Sequence, residues 1–441
     1  MTGVTGVTGA PAPRRTQVVV VGGGQAGLSA SWFLCRDGVD HVVLEAVTAG
    51  HEWASTRWDS FTLVTPNWQC RLPGYAYDGP DPDGFMTRDE VVAWLAGYPR
   101  TFGPPLRERT RVTRLSQDGA GGFLVAAEGP DGPELWQAEH VVLATGGYHR
   151  PVVPSWAPSL DPGLPDGLVQ LHSAQYRRPD ALPPGAVLVV GTGQSGAQIA
   201  EDLHLAGRSV HLAVGSAPRV ARRHRGRDVM TWLAQMGVYE RPVGTTPGGV
   251  PAREKTNHYV TGRGGGRDVD LRAFARDGMV LHGRVTGGAG RTVQVTPTVG
   301  AALDAADAVY ASINRDVDAW IEAQGIDAPS AAPYEPVWRP AAEHTELDLH
   351  EAGVTSVVWA VGYRADWSWV DVGVFTGGGR PSHTRGVTGV PGLYLLGLPW
   401  LHTWGSGRFL GVAVDAEHVT ACITGTDRRP VPGGRTATAG R

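Results

Sequence analysis

Two stretches of the chain repeat one pattern, an apolar β-branched run followed at once by a glycine-rich turn and then a helical period. The first, residues 18–46, reads VVVVGGGQAGLSASWFLCRDGVDHVVLEA. The four valines suit a strand buried on both faces, and Gly22-Gly23-Gly24-Gln25-Ala26-Gly27 follows them directly. Leu28, Trp32, Phe33 and Cys35 recur at helical spacing until Gly38, and residues 41–45 return to the strand pattern. Gly22 permits the tight turn, Gly24 lets backbone N–H groups reach a diphosphate at the helix N-terminus, and Gly27 lets helix pack on strand. Glu45, with Ala46 beside it, lies about 20 residues beyond the glycines, where an acid accepts hydrogen bonds from an adenosine ribose and disfavours a 2′-phosphate.

The second stretch reads VLVVGTGQSG over residues 187–196, and its turn carries Gly191, Gly193, Gln194, Ser195 and Gly196. A helix to residue 205 and a strand over 209–214 should follow. This unit ends differently. The strand runs into Val214-Gly215-Ser216 with no acid, and Arg219, Arg222, Arg223 and Arg225 come soon after. Guanidinium groups bind phosphate bidentately, so the expected ligand is NADPH rather than NADH. Two such units imply two dinucleotides, and hydride exchange between nucleotides makes the first one FAD.

The expected fold is therefore α/β, two Rossmann-like dinucleotide-binding domains with a small β-meander. Strand-like runs over 111–115, which includes Val112, 123–127 and 135–144 supply the meander. The last run ends in Ala144-Thr145-Gly146, small residues suited to a strand end passing close to a bound dinucleotide. Prolines 151, 154, 158, 162 and 165 mark a boundary, which assigns 16–153 and 350–425 to an FAD domain and 154–349 to an NADPH domain. In that division the run 354–361, ending at Gly362, rejoins the first sheet with the run 392–397. Residues 1–15 and 426–441 read as disordered tails.

A formal charge of −4 and a pI near 6.4 supply no field for nucleic acid or anionic membrane, leaving small molecules as the expected partners. No apolar run approaches the roughly 20 residues of a membrane span, and the first residues lack the order of a signal peptide, so a cytoplasmic protein is expected. Cys35, Cys70 and Cys422 form no C-x-x-C, which removes a dithiol relay as electron acceptor and leaves O2 as the simplest one. No metal site is expected. Residues 50–68 have no clean period but are dense in aromatic and hydrogen-bonding groups, among them Trp53, Trp58, Arg57, Thr65 and Asn67. That is how a ligand-lining loop reads.

Both fingerprints in order, Gly50-x-x-Trp53, Ala144-Thr145-Gly146, His172, Ala360-x-Gly362-Tyr363 and the closing PGLYLLGLPWLHTWGSGRF resemble the class B flavin-dependent monooxygenases. That group holds N-hydroxylating, Baeyer–Villiger and indole-3-pyruvate monooxygenases. More narrowly, RWDSFTLVTPNWQCRLPG, LHSAQYR and NHYVTGRGGGRD resemble a bacterial subfamily of flavin-dependent oxidoreductases met beside nitrilase genes. The resemblance implies that NADPH reduces FAD and that O2 forms a C4a-(hydro)peroxide, which passes one oxygen atom to a small polar metabolite. N-oxygenation of an amine or amino acid is the expected reaction. The alternative is a flavin oxidoreductase that reduces, desaturates or oxidises without oxygen insertion. By position, Asn67 would steady the peroxide or the bound nicotinamide, the alternative being an Asn that fixes its loop. His172 would touch the nicotinamide nucleotide or fix the linker, the alternative being a core histidine. Gly397 and Arg408 join the flavin-site residues. The linker departs from the Baeyer–Villiger fingerprint F-x-G-x-x-x-H-x-x-x-W, having Asp166, Leu168 and Tyr176 around His172.

Overall fold

A computed structural model describes residues 12–245, 257–377 and 379–426. The chain opens on β1 (Arg14–Val21), α1 (Gln25–Arg36) and β2 (His41–Leu44), the βαβ unit expected from the first fingerprint. β1 starts before residue 16, because Arg14 and Arg15 already pair with Trp136 and Gln137. The first tail is therefore shorter than expected. Residues 1–11 and 427–441 lie outside the described residues.

α2 (Arg88–Gly97) begins at a capping box in which Thr87 and Glu90 satisfy each other's backbone N–H groups. β3 (Leu106–Arg107), β4 (Arg111–Gln117), β5 (Phe123–Gly129) and β6 (Gly132–Leu143) complete the first half. β6 does two things. Its first part pairs antiparallel with β5, closing the meander, while most of its length pairs parallel with β1.

The second half contains β7 (Val169–His172), β8 (Ala186–Val190), α3 (Gln194–Leu205), β9 (Val210–Ala213), β10 (Val280–His282), α4 (Val299–Gln324) and β11 (Val354–Trp359). The chain then returns to the first half with β12 (Leu393–Leu395) and α5 (Val412–Thr424). In the first sheet β12 lies on β6, followed by β1, β2 and β3, all parallel. The second sheet has the order β7-β11-β8-β9-β10, again all parallel. Both are apolar on both faces, as sheets covered by helices must be. Each of the four β1 valines is at most 4 % exposed, and Val187 to Val189 are at most 1 % exposed.

The placement of β11 corrects the expected domain boundary. Its residues pair with β8 and β7 at the centre of the second sheet, not with the first. A fully apolar strand carries no mark of its neighbours, since any buried parallel position asks for the same residues. Its end at Ala360 closes over Gly191, so the second glycine turn needs a strand that the chain supplies more than 150 residues later.

Two predictions follow from this packing. A Cβ built on Gly27 would stand 1.9 Å from the Gly22 carbonyl oxygen, so Gly27→Ala forces α1 away from β1. Loss of bound flavin colour and a stability drop of roughly 1–3 kcal/mol or more are expected, read by visible absorbance and thermal melting. On β9 and β10, His211 Nδ1 and His282 Nε2 lie 2.9 Å apart, and burial with the neighbouring imidazole lowers His282 from 6.5 to about 4. A base held neutral in the fold gains its proton first in the unfolded chain, so stability is complete above about 6.5 and falls as pH drops toward 4. The thermal midpoint should fall over that window, and less steeply in His282→Gln.

Candidate functional site

Each glycine turn is shaped by backbone meeting backbone. Gly22 has φ of 108°, and a Cβ on it would lie 2.8 Å from the Ala144 carbonyl oxygen; Gly191 has φ of 104° and would meet the Ala360 oxygen at 2.7 Å. Gly196 repeats Gly27, with a Cβ only 1.9 Å from the Gly191 oxygen. Space above the first turn is open, since a Cβ on Gly24 would touch nothing within 4 Å. Gly24 and Gly193 are the N-caps of α1 and α3, and neither helix has a side-chain cap or an acid in its first turn. The free N–H groups at Gln25, Ala26 and Ser195 sit at the positive end of a helix dipole, which fits a diphosphate at each turn.

The surroundings of the first turn fit an adenosine and a flavin. Glu45 lies over it, accepting from Gly23 N at 2.7 Å and Val47 N at 2.9 Å, each oxygen keeping a lone pair for a ribose hydroxyl. Ala46 is half-buried beside it, and Thr110 N, two residues before Val112, donates to the Glu45 carbonyl. On the other side a Cβ on Gly397 would meet Ala26 Cβ at 2.6 Å, and Gln25 Nε2 donates to Gly407 O at 3.1 Å. Trp53 donates to Gln25 Oε1 at 3.4 Å and stacks on Phe409 with centroids 5.2 Å apart. Arg57 lies 5.1 Å from the Trp53 ring. Thr145 holds a buried hydroxyl with no partner, next to Gly146 at φ of 73°, and Thr65 is half-buried on the facing loop. Glu45, Trp53, Ala144 and Gly397 thus meet the turn and first residues of α1 directly.

Two expected catalytic residues are occupied elsewhere. The Asn67 carboxamide accepts from Met86 N at 2.7 Å and donates to Asp81 O at 2.9 Å, which pins the 60s loop to the segment before α2. His172 ends β7, where Nε2 meets Gly362 O at 3.0 Å and Nδ1 accepts from Ala174 N at 3.2 Å. With both ring nitrogens used and the ring 1 % exposed, it is a structural pin across the β7–β11 edge. Trp58, at 3 % exposure, belongs to the core rather than to a pocket wall.

The arginine run is also corrected. Arg219 is buried with Asp307 at 3.0 Å and Asp270 at 3.5 Å, its guanidinium between the rings of Tyr310 and Tyr334. Arg222 is buried against Asp228 at 2.5 Å and donates to Val64 O at 2.8 Å. Arg225 pairs with Asp318 at 3.1 Å. A guanidinium desolvated with its carboxylate is a packing element and has no charge to spare for a phosphate. Arg223 is exposed and reaches Gly265 O at 3.5 Å.

At the C-terminal end of β9, where a Rossmann sheet places an adenosine ribose, there is a cavity of about 250 Å³. Gly215, Ser216, Arg284 and Thr298 line it with apolar residues of α4. Gly215 N donates to Thr192 Oγ1 of the glycine turn at 3.0 Å, tying this end to the dinucleotide path. Arg284 is exposed there with no ion pair among the described residues. It stands just past β10, almost 70 residues beyond Ser216 in sequence, and only the β9–β10 pairing brings them together.

Comparison with known proteins agrees with this geometry. Residues 19–236, just under half the chain, match the model of a pyridine nucleotide-disulphide oxidoreductase family. An uncharacterised oxidoreductase of Geobacillus kaustophilus is 29 % identical over 405 residues, covering 91 % of this chain and 96 % of that protein. A flavin-containing monooxygenase from Stenotrophomonas maltophilia superposes with a TM-score of 0.62 at 23 % identity, covering 93 % of this chain and 99 % of the other. The fold is that of the flavin monooxygenases. An ornithine N-hydroxylase from Kutzneria sp. 744 shares it at a TM-score of 0.61 and 16 % identity, over 94 % of this chain and all of that one. Among the described residues Cys35, Cys70 and Cys422 form no disulfide, and Cys70 is buried with its thiol pushed up to about 12.

Arg222→Ala leaves Asp228 without its cation in a buried place, so a loss of about 3–5 kcal/mol in stability is expected. The ratio of NADP+ to NAD+ affinity should stay within about twofold, measured by titration calorimetry on folded protein.

Proposed function

We propose that the chain is an FAD- and NADPH-dependent monooxygenase that transfers one oxygen atom from O2 to a small polar metabolite, an amine or amino acid oxygenated at nitrogen. The observation that carries this reading is the pair of matched glycine turns in one chain without a cysteine pair to take the electrons. Bound there, the flavin supplies hydride acceptance and oxygen activation, chemistry no side chain offers.

The chain's own residues bind, orient and keep water out. The α1 and α3 N-termini hold the two diphosphates, and Glu45 holds the ribose of FAD. Trp53 stacks on Phe409 and Tyr239 stacks on Trp404 at 4.6 Å, aromatic packing that keeps water from the interior around them. The 2′-phosphate of NADPH is assigned to Ser216 and Arg284 in the cavity at the end of β9, in place of Arg219, Arg222 and Arg223. The Kutzneria neighbour is an ornithine N-hydroxylase, in keeping with a nitrogen centre. A second reading, NADPH-driven oxidation or reduction without oxygen insertion, is favoured by the description of the matching family.

Turnover with 18O2 separates the two. Label in the product, in proportion to NADPH consumed, is expected; unlabelled product with free peroxide replaces the first reading by the second. Arg284→Ala should weaken NADP+ binding by about 10- to 100-fold and NAD+ binding by less than about twofold, measured on the FAD-loaded protein by calorimetry. Equal affinities in the unaltered protein would remove the assigned NADPH preference.

A further inference from the structure

We infer that the molecule oxygenated next to the flavin carries a carboxylate, and that Arg408 is the residue that anchors it. This rests on the monooxygenase reading above and adds the charge of the substrate to it.

Arg408 leaves the first half immediately after Gly407, whose carbonyl is held by Gln25 at the start of α1. Its side chain then turns toward the second half. The guanidinium lies 3.6 Å from the Trp404 ring centroid, Nε donates to Trp404 O at 3.1 Å, and Nη2 donates to Asn257 Oδ1 at 3.1 Å. Trp404 in turn stacks on Tyr239 of the second half. Protein encloses the group, and desolvation lowers its affinity for the proton, while the residue as a whole is half-buried. No carboxylate pairs with it among the described residues, and its Nη1 has no partner there.

Among the described residues the neighbours do not supply the missing charge. His258 is held down to about 4 by burial and by the cation itself, so it is neutral at pH 7. Burial raises the Tyr239 phenol, which also stays neutral. Asn257 gives a dipole only. An enclosed guanidinium facing an aromatic ring and neutral groups is one negative charge short, a costly state unless a ligand brings the charge. Three other buried guanidiniums have their own acids: Arg219 with Asp307, Arg222 with Asp228 and Arg272 with Asp304 at 2.6 Å. Arg408 shares the lack of an acid partner among the described residues with the enclosed Arg57.

Cofactor phosphates are accounted for by other groups. Each diphosphate has the N–H groups of a helix start, and the adenosine ends lie at Glu45 and at Ser216 with Arg284. The side chain of Arg408 is spent on Asn257 and Trp404 rather than on the α1 turn. A planar carboxylate matches the guanidinium fork with two parallel hydrogen bonds, and Trp404 and Tyr239 offer an apolar wall for the rest of the molecule. Arg57, also without an acid among its hydrogen-bonded partners, keeps to the rings of Trp53 and Phe61 and donates to Thr56, so it stays with the flavin-side groups.

The test uses the full-length FAD-loaded protein with NADP+ present and matched acid and amide probes, benzoate against benzamide and L-phenylalanine against L-phenylalaninamide. Binding is followed by perturbation of the flavin absorbance. At least one acid should bind at least about tenfold more tightly than its amide. In Arg408→Gln that ratio should fall to about 1, and in Arg408→Lys most of it should return. Acids and amides binding alike, no response to either acid up to about 10 mM, or an unchanged ratio in Arg408→Gln would each overturn the inference. The comparison in the unaltered protein decides the question even where a variant does not fold. NADPH is added only afterwards: a flavin that fails to bleach then counts against the monooxygenase reading, whereas the acid-to-amide ratio has already been read on the oxidised protein.

Discussion

A helix backbone resting directly on a turn, with no side chain between them, is the contact on which both halves of this protein depend. At Gly27 and again at Gly196 a methyl group would sit 1.9 Å from a carbonyl oxygen, so each helix can start only where its glycine allows. That fixes where the N–H groups of α1 and α3 point and leaves space above Gly24 for a ligand to approach. The turns are closed on their outer sides by Ala144 and Ala360, each at the end of another strand. Cofactor geometry is therefore set by sheet order, and the sheet order of the second half requires β11 to arrive late in the chain.

The two halves are held in register by buried polar groups that cross between them. Asp202 on α3 is 2 % exposed and accepts from Ser60 at 2.6 Å and Tyr176 at 2.7 Å, with Arg263 as its counter-ion. Arg222 reaches Val64 O, Arg177 reaches Ser55 O, and a Cβ on Gly262 would stand 2.0 Å from Leu63 O. Buried ion pairs of this kind add little net stability, because desolvation offsets most of the Coulomb gain. Their consequence is geometric. A wrong docking of the halves would strand an unpaired charge, so the observed arrangement is strongly preferred.

Legibility in the sequence followed the range of the interactions. The βαβ units, the capping box at Thr87 and the meander were readable because each depends on residues close in sequence: glycines at fixed spacing, Glu90 three residues after Thr87, apolar alternation. β11 was assigned to the wrong sheet because buried parallel strands share one composition. Asn67 and His172 looked chemical by residue type, yet their partners, Met86 N and Gly362 O, are backbone groups that no motif announces. Arg284 carried no signal at all, since it meets Ser216 only across the β9–β10 pairing.

The arginines make the same point in electrostatic form. A run of them after β9 reads as a phosphate site, because sequence shows the cations and hides the aspartates that come from elsewhere. In the fold, Asp228, Asp268, Asp270, Asp307 and Asp318 neutralise most of that run. What distinguishes a binding guanidinium from a structural one is the lack of a carboxylate within reach, together with an open face toward a cavity. Arg284 meets both parts of that criterion at the end of β9, and Arg408 meets the first among the described residues. Their separation places one expected anion at the far tip of the nucleotide and another beside the reacting ring, so cofactor choice and substrate choice should respond to different substitutions.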